Sequence, residues 1–152
     1  MIRKGYIQEI EKIAEILNDS ELCDNYWNDY DLTLKFIRDG ILAEELFVLA
    51  NEEEILIGFI RIDFNGMFSK FPLLRVLAVK SGYRNKRYGE ILIKYYQDLC
   101  FKNTGKIFLC VTSTNSNAQR FYLRNGFQKV AELNSLYKEN INEILMMKTN
   151  KD

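Results

Sequence analysis

The chain has 152 residues, 47% of them apolar, which is enough for one domain with a sizeable buried core. Its 21 basic and 21 acidic residues balance, so the basic excess typical of a general nucleic-acid-binding protein is missing. Because the sequence contains no histidine, Ser-His-Asp catalysis, Cys-His catalysis and histidine-based metal sites are excluded.

The predicted elements follow from apolar spacing. In chain order they are a strand at 2–6, helices at 10–17 and 27–41, strands at 46–50, 55–63 and 73–79, a helix at 88–99, a strand at 107–111, a helix at 115–125, and strands at 127–133 and 143–148. The turn at 51–54 predicts a hairpin. Gly40 indicates the end of the second helix, and Gly126 is a plausible C-cap.

The order β-α-α-β-β-β-α-β-α-β-β indicates an α/β (mixed α+β) fold. Antiparallel hairpins surround one strand-helix-strand unit, from Leu73 to Val111, whose two strands should be parallel. No linker or repeat interrupts the chain, so we expect a single domain over residues 1–152.

The cysteines and the N-terminal segment bear on location. Cys23, Cys100 and Cys110 show no CxxC spacing, and an odd number of cysteines fits a reducing compartment. Met1 leads into a charged segment, and no apolar run reaches the ~20 residues that a membrane helix requires. We therefore expect a cytoplasmic protein with no membrane, nucleic-acid or metal partner.

The stretch SGYRNKRYGEIL (81–92) is a basic turn between a predicted strand and a predicted helix. Arg84, Lys86 and Arg87 precede Gly89 there. The first amides of a helix lack partners within it and lie at the positive end of its dipole, so such a turn can hold phosphate oxygens. Neither GxxxxGK[ST] nor GxGxxG is present. The alternative is a solvated basic turn that caps a helix; charge and glycine alone leave both open.

A second stretch, TSTNSNAQRFYLRNGF (112–127), distinguishes the two. Together with LAVKSGYRNKRYG (77–89) it resembles the GNAT superfamily of acetyl-CoA-dependent N-acetyltransferases. The first stretch is similar to that family's strand-ending V followed by [RQ]-x-x-G-x-[GA], and the second is similar to N-x-x-A-x-x-x-Y-x-x-x-G-F. The matching residues are Val79, Arg84, Gly89, Asn115, Ala118, Tyr122, Gly126 and Phe127.

The resemblance implies a central, mostly antiparallel sheet of about six or seven strands with flanking helices and a splayed parallel strand pair that binds acetyl-CoA as co-substrate, without a metal. The pantetheine arm would pair with the strand backbone as an added strand, and the turn amides would hold the pyrophosphate. The implied cofactor-binding residues are Leu77, Ala78, Val79, Arg84, Asn85, Lys86, Arg87, Tyr88, Gly89, Glu90 and Asn115.

Two of these residues have a second interpretation. Asn115 is also a favoured helix N-cap residue, and both roles can hold. Arg87 stands where the family has its first glycine, and the group of turn amides is retained if Arg87 has a helical φ.

Tyr122 is the catalytic residue that the resemblance implies. An amine attacks the thioester carbonyl, and the leaving thiolate, with a pKa near ~8.5, needs only a modest proton donor. A tyrosine can supply that proton, a contribution of roughly 10²–10⁴-fold. From the helix alone, Tyr122 would be a core residue packed with Phe121.

The general base is left open by the sequence. Some members of the family use a glutamate at positions that are Leu73 and Cys110 here, and neither can serve as a carboxylate. Cys110, within an apolar run, reads as a small core residue. The remaining alternatives are a water relay to a more distant acid, or one of Glu44, Glu45 and Asp63.

The segment 19–31 suggests the kind of acceptor. It holds five acids, among them Asp24, Asp29 and Asp31, no basic residue, and the aromatic residues Tyr26, Trp27 and Tyr30. Such a segment would attract a cationic amine, although helix capping and core packing explain the same residues. Peptide N-termini, lysines, aminoglycosides, polyamines and small amino compounds stay open, as do a monomer and a homodimer. An inactive acyl-CoA-binding module is the alternative function.

Overall fold

The computed structural model describes residues 1–20 and 27–151. Seven strands and four α-helices occur in these two ranges, in the predicted order, and a short 3₁₀ turn (Ile7–Glu9) precedes the first helix. They are β1 (Ile2–Lys4), α1 (Ile10–Asn18), α2 (Tyr30–Leu42), β2 (Leu46–Ala50), β3 (Leu56–Met67), β4 (Phe71–Val79), α3 (Tyr88–Cys100), β5 (Lys106–Thr112), α4 (Ser116–Arg124), β6 (Gln128–Lys138) and β7 (Ile141–Thr149).

The strands form one sheet in the order β1-β2-β3-β4-β5-β7-β6. β4 and β5 run parallel, as the strand-helix-strand unit predicts, whereas β1–β2, β2–β3, β5–β7 and β6–β7 are antiparallel. The mostly antiparallel sheet with flanking helices confirms the predicted fold class. The parallel ladder joins Leu73 with Phe108 and Leu74 with Leu109, a short pairing of the kind that a splayed strand pair requires.

The chain divides into two compact units, Met1–Ile62 with Val76–Tyr96 and Asp63–Arg75 with Gln97–Asp152. The single domain expected over residues 1–152 stays a prediction. None of the helices in the described ranges is long and apolar enough to cross a membrane.

The core of the first unit is built by the helical stripes and by β2 and β3. Ile13 and Leu17 from α1, Ile37 from α2, and Leu46 and Phe59 from the strands are fully buried together. Burial of each such side chain contributes about 1.5–3 kcal/mol. The predicted hairpin is confirmed, because the Asn51 side chain organises its turn by accepting bonds from the amides of residues 53 and 55, at 2.9 and 3.0 Å.

Gly40 has a different role from the predicted helix end. α2 continues to Leu42, and Gly40 is buried within it. A Cβ atom at Gly40 would lie 2.9 Å from Cδ of Arg61, whose guanidinium donates to the Phe36 carbonyl at 2.8 Å and to Glu45 Oε1 at 3.0 Å. The glycine therefore makes room for an arginine that ties α2 to β3.

The second unit contains β5, β7 and β6 with α4. The end of α4 is a Schellman motif, in which the Phe127 amide donates to the Tyr122 carbonyl and the Gly126 amide donates to the Leu123 carbonyl, each at 3.0 Å. Gly126 has φ of +91°, which confirms it as the residue that ends the helix.

Two strands extend further than their apolar pattern predicts. β3 reaches Met67 rather than residue 63, and β6 reaches Lys138 rather than residue 133. β3 ends in a turn in which Phe68 and Ser69 both have positive φ, 57° and 56°, as a tight hairpin requires. Both extensions lie beyond the apolar runs that predicted these strands.

Candidate active site

The basic turn of the first unit has a left-handed backbone at three positions. Gly82, Asn85 and Arg87 have φ of 88°, 60° and 69°. The condition stated for Arg87, a helical φ, is not met: its position requires the conformation that glycine adopts most easily, which is a physical reason for a glycine there in the motif. Left-handed residues among ordinary ones turn successive amides toward one side, so the turn retains an anion-binding arrangement.

Amides at the start of α3 continue this arrangement. The first helical bond runs from the Ile91 amide to the Arg87 carbonyl, at 3.3 Å, so the amides of Tyr88, Gly89 and Glu90 precede the regular helical pattern. Residues 84–87 are exposed and residues 88–90 are half-buried. Donors that combine exposure with a helix N-terminus suit a phosphate group.

The Arg84 side chain holds the turn in place. Its Nε donates to the Val79 carbonyl at 3.0 Å, and its NH2 group donates to the Asp19 carbonyl, just after α1, at 2.6 Å. The guanidinium thus links the end of β4 to the end of α1. Lys86 lies with Nζ 5.9 Å from the centre of the Tyr83 ring and stays exposed.

β4 ends in the first unit with Leu77, Ala78 and Val79. Ala78 is buried, whereas Leu77 and Val79 are half-buried. A Cβ atom at Gly58 would lie 2.7 Å from the Ala78 carbonyl oxygen, so the absent side chain of Gly58 allows the two backbones to approach closely.

The second unit carries Asn115 and Tyr122. Asn115 is the N-cap of α4: its Oδ1 atom accepts from the Ala118 amide at 3.1 Å, which confirms the capping interpretation. The Gln119 side chain donates to the carbonyls of Thr112 and Ser113, at 3.3 and 2.8 Å, and fixes the connection between β5 and α4. Within the described ranges Asn115 Nδ2 makes no hydrogen bond, so it can serve a ligand.

Tyr122 packs between two phenylalanines. Its ring centre lies 5.2 Å from that of Phe121 and 6.0 Å from that of Phe127, both in edge-to-face geometry. Burial raises the pKa of the Tyr122 phenol above its ordinary value, so the hydroxyl stays protonated at neutral pH. A protonated phenol is the form that a proton donor needs.

The carboxylates considered as bases all have structural partners. Glu44 accepts from Lys4 at 2.9 Å in an exposed pair, and Glu45 is bonded to Arg61. Asp63 accepts from the Asn65 amide at 3.2 Å. The Cys110 thiol is half-buried, and burial together with the charge of Glu143 raises its pKa to about 11, so it is not a thiolate at neutral pH.

Glu143 is the residue that the sequence analysis missed. It is 3% exposed. Among the residues that the structure describes, it is the one charged residue that is buried. The sequence did contain an indication that Glu143 is buried. Glu143 lies on the same side of β7 as Ile141, Leu145 and Met147, where the alternation along a strand predicts apolar side chains.

The acidic segment is only partly described. Glu21, Cys23, Asp24 and Tyr26 lie outside the described residues. Asp29 caps α2 by accepting from the amides of residues 31 and 32, at 3.0 and 3.2 Å, and the Trp27 ring packs 4.3 Å from that of Phe36. Asp31 and Tyr30 are exposed. For Asp29 and Trp27 the structural interpretation therefore holds.

No group of three or more cysteine or acidic side chains in residues 1–20 and 27–151 is placed to hold a metal ion. The candidate residues therefore fall into an amide-rich turn in the first unit and a phenol and an amide in the second.

Comparison with known proteins gives a family match. Residues 10–127 match the sequence model of the Acetyltransferase (GNAT) family. No curated protein matches the chain.

Solved structures share the fold. A GNAT-family acetyltransferase from Bacillus cereus ATCC 10987 is 20% identical with a TM-score of 0.81, over 100% of this chain and 98% of that one. A chimera of the spermidine N-acetyltransferase SpeG from Vibrio cholerae and hSSAT is 16% identical with a TM-score of 0.82, over 98% and 94%. An aminoglycoside 6'-N-acetyltransferase complexed with coenzyme A is 16% identical with a TM-score of 0.80, over 100% and 99%.

Proposed function

Because the chain belongs to the GNAT family of acetyltransferases and is therefore an acyltransferase, we propose that it transfers the acetyl group of acetyl-CoA to a primary amine by direct attack on the thioester. The observation that carries the proposal is the exposed basic turn, whose left-handed Asn85 and Arg87 lead into the first amides of α3. An anionic diphosphate is the ligand that such a turn favours.

The co-substrate contacts follow from the two motifs. The amides of residues 85–90 hold the pyrophosphate, with Lys86 and Arg87 adding positive charge. Arg84 contributes its backbone to the site. Its side chain holds the turn in place by hydrogen bonds to the carbonyls of Val79 and Asp19. The backbone of Leu77, Ala78 and Val79 pairs with the pantetheine arm, and Asn115 Nδ2 bonds to the same arm.

Tyr122 supplies the proton for the leaving sulfur. Its phenol is protonated at neutral pH, as in any tyrosine, and burial raises its pKa further. Within the described residues the hydroxyl makes no hydrogen bond to the protein, so it is available to donate to a thiolate.

The acceptor is an amine, and we propose a cationic one. The support is the acidic segment 19–31, of which Asp31 is exposed in the structure. Solved structures with the same fold include proteins named for spermidine and for an aminoglycoside, which are both cationic amines. Cytoplasmic location and a monomer or homodimer remain predictions.

Two measurements test the function. Calorimetric titration with acetyl-CoA should show binding, and thiol release from acetyl-CoA should depend on an added amine from a panel of spermidine, kanamycin and a lysine-containing peptide. Absence of acetyl-CoA binding would contradict the whole proposal.

An acyl-CoA-binding module without chemistry is the second candidate function. Leu73 and Cys110 occupy positions where a carboxylate base would stand, and Arg87 has a left-handed backbone in place of a glycine. This candidate predicts acetyl-CoA binding in the calorimeter with no thiol release for any amine of the panel.

A further inference from the structure

A carboxylate is buried at the end of β5 where the sequence analysis expects none. Glu143 opposes Thr112, the last residue of β5, in the β5–β7 ladder. The two are 3% and 6% exposed. The next residue, Ser113, donates its amide to the Asn142 carbonyl at 2.9 Å, so Glu143 lies where β5 leads into the motif of Asn115 and Tyr122.

The register places Glu143 on the same face of the sheet as Cys110. Directly opposed residues of an antiparallel pair point to one face, and so do residues two apart on a strand. Thr112 opposes Glu143 and Cys110 opposes Leu145, so all four share that face. A carboxylate missing from β5 at Cys110 is thus present on the neighbouring strand.

α4 contacts the opposite face. Lys148 stands five residues after Glu143 in an uninterrupted register and therefore points the other way. Its Nζ donates to the Asn125 carbonyl, immediately after α4, at 2.9 Å. The helix of Tyr122 and the carboxylate of Glu143 consequently belong to opposite faces of these strands.

Two titratable groups interact electrostatically with Glu143: Cys110 on β5 and Tyr137 on β6. Arg75 on β4 acts on Tyr137. Burial raises the pKa of Tyr137, the charges of Cys110 and Glu143 raise it further, and Arg75 lowers it. Glu143 therefore stands in a cluster of titratable side chains contributed by β5, β6 and β7.

We propose that Glu143 is the general base of this acetyltransferase, which removes a proton from the ammonium form of the acceptor, directly or through one water. The assignment rests on the proposed function. It names a further catalytic residue, on β7, in place of the carboxylates at Leu73 and Cys110 that the sequence lacks.

The proton balance of the reaction is closed. The ammonium group of the acceptor gives one proton to Glu143, and the neutral amine forms a C–N bond to the thioester carbonyl carbon. The C–S bond breaks, and the leaving sulfur takes the Tyr122 proton to give coenzyme A. The new amide nitrogen returns its extra proton to the Tyr122 oxygen through water, and Glu143 releases its proton to solvent.

The test compares pH profiles of Glu143→Gln and wild type with spermidine as acceptor. An alkyl amine has a pKa near ~10.4 and is mostly protonated at pH 7. Without a base, only the neutral fraction reacts, so kcat/KM of the variant should rise about tenfold per pH unit between about pH 7 and pH 10. At pH 7 it should lie about 1000-fold below wild type, whose profile should be flat in that range, so the two should converge near pH 10.

Controls separate a base from a structural role. Calorimetry should give an unchanged Kd for acetyl-CoA in Glu143→Gln, and Glu139→Gln, an exposed glutamate in the β6–β7 turn, should behave as wild type. Glu143→Asp keeps the carboxylate and should keep the wild-type profile at a lower kcat, which tests the assignment even if the glutamine variant does not fold.

The outcomes distinguish the two proposals. Parallel pH profiles for wild type and Glu143→Gln, or an aspartate variant that behaves as the glutamine variant should, would overturn the base and leave the acetyltransferase standing. Wild-type protein that binds acetyl-CoA but releases no thiol with any amine would overturn the acetyltransferase and the base together.

Discussion

The Tyr122 hydroxyl can be tested apart from the Tyr122 ring. The ring packs on Phe121 and Phe127 and the backbone carbonyl belongs to the Schellman motif, whereas the hydroxyl makes no hydrogen bond to the described residues. Tyr122→Phe keeps the packing and removes only the proton. We expect kcat to fall about 100-fold with an unchanged Kd for acetyl-CoA.

Thiol release and calorimetry measure the two quantities. Tyr6→Phe, which removes the hydroxyl of an exposed tyrosine far along the sequence from either motif, is the matched control and should keep full turnover. A Tyr122→Phe enzyme with wild-type kcat would remove Tyr122 from the mechanism.

Arg87 shows the physical reason for a glycine in the first motif. Its φ of 69° costs a residue with a Cβ about 1 kcal/mol, and that strain is independent of charge. Arg87→Gly and Arg87→Ala both remove the guanidinium, but only glycine relieves the backbone. We therefore expect the glycine variant to be more stable than the alanine variant by about 1 kcal/mol in urea unfolding. Equal stabilities would mean that the turn relaxes to another conformation.

The end of α4 depends on Gly126 for two reasons. Its φ is +91°, and a Cβ atom there would lie 2.8 Å from Cε of Lys148. Gly126→Ala should lower the free energy of unfolding by at least about 1–2 kcal/mol, measured by urea titration. Gly105→Ala is the matched control, since Gly105 has no positive φ and nothing lies within 4 Å of the position that a Cβ atom would take there. A control as destabilised as Gly126→Ala would contradict this explanation.

The strands and helices were largely predictable because local spacing sets them. The stripe through Ile13 and Leu17 is α1, and the short apolar run around Leu109 is β5. Strand ends were less predictable, since β3 continues to Met67, beyond the apolar run that predicted it.

The site was predictable where a motif specifies a backbone. The Asn115 cap and the Gly126 helix end follow from residue type, and the structure confirms both. The burial of Glu143 was not, because its surroundings include Thr112, a ladder partner 31 positions away that only the folded sheet defines. The φ of Arg87 was also not predictable, since a positive φ is rare for arginine.

For the chain as a whole the basic and acidic residues balance. We therefore look to individual ion pairs for the pH dependence of its stability. The Arg3 guanidinium donates two hydrogen bonds to the Glu9 carboxylate, of 3.0 and 2.8 Å, and Glu9 also accepts one from the Tyr6 amide at 2.8 Å. The bond from Arg3, with the Tyr6 amide and nearby positive charge, outweighs burial and lowers the pKa of Glu9 below its ordinary value. A lowered carboxyl pKa stabilises the folded state above the unfolded pKa, and this contribution is lost as pH falls through the folded pKa.

Glu9→Gln therefore isolates an acid-sensitive contribution that joins β1 to the start of α1. At pH 7 the variant should be less stable than wild type by about 2 kcal/mol, because a charged bidentate pair becomes a neutral contact. The difference should shrink as pH falls below 4.5, the ordinary value for glutamate, and vanish once Glu9 is protonated in folded wild type. Urea unfolding at a series of pH values measures it. Glu44→Gln breaks an exposed pair with Lys4 and should change stability less at every pH. A stability difference for Glu9→Gln that stays constant down to full protonation would show that the glutamine disturbs packing rather than the ion pair.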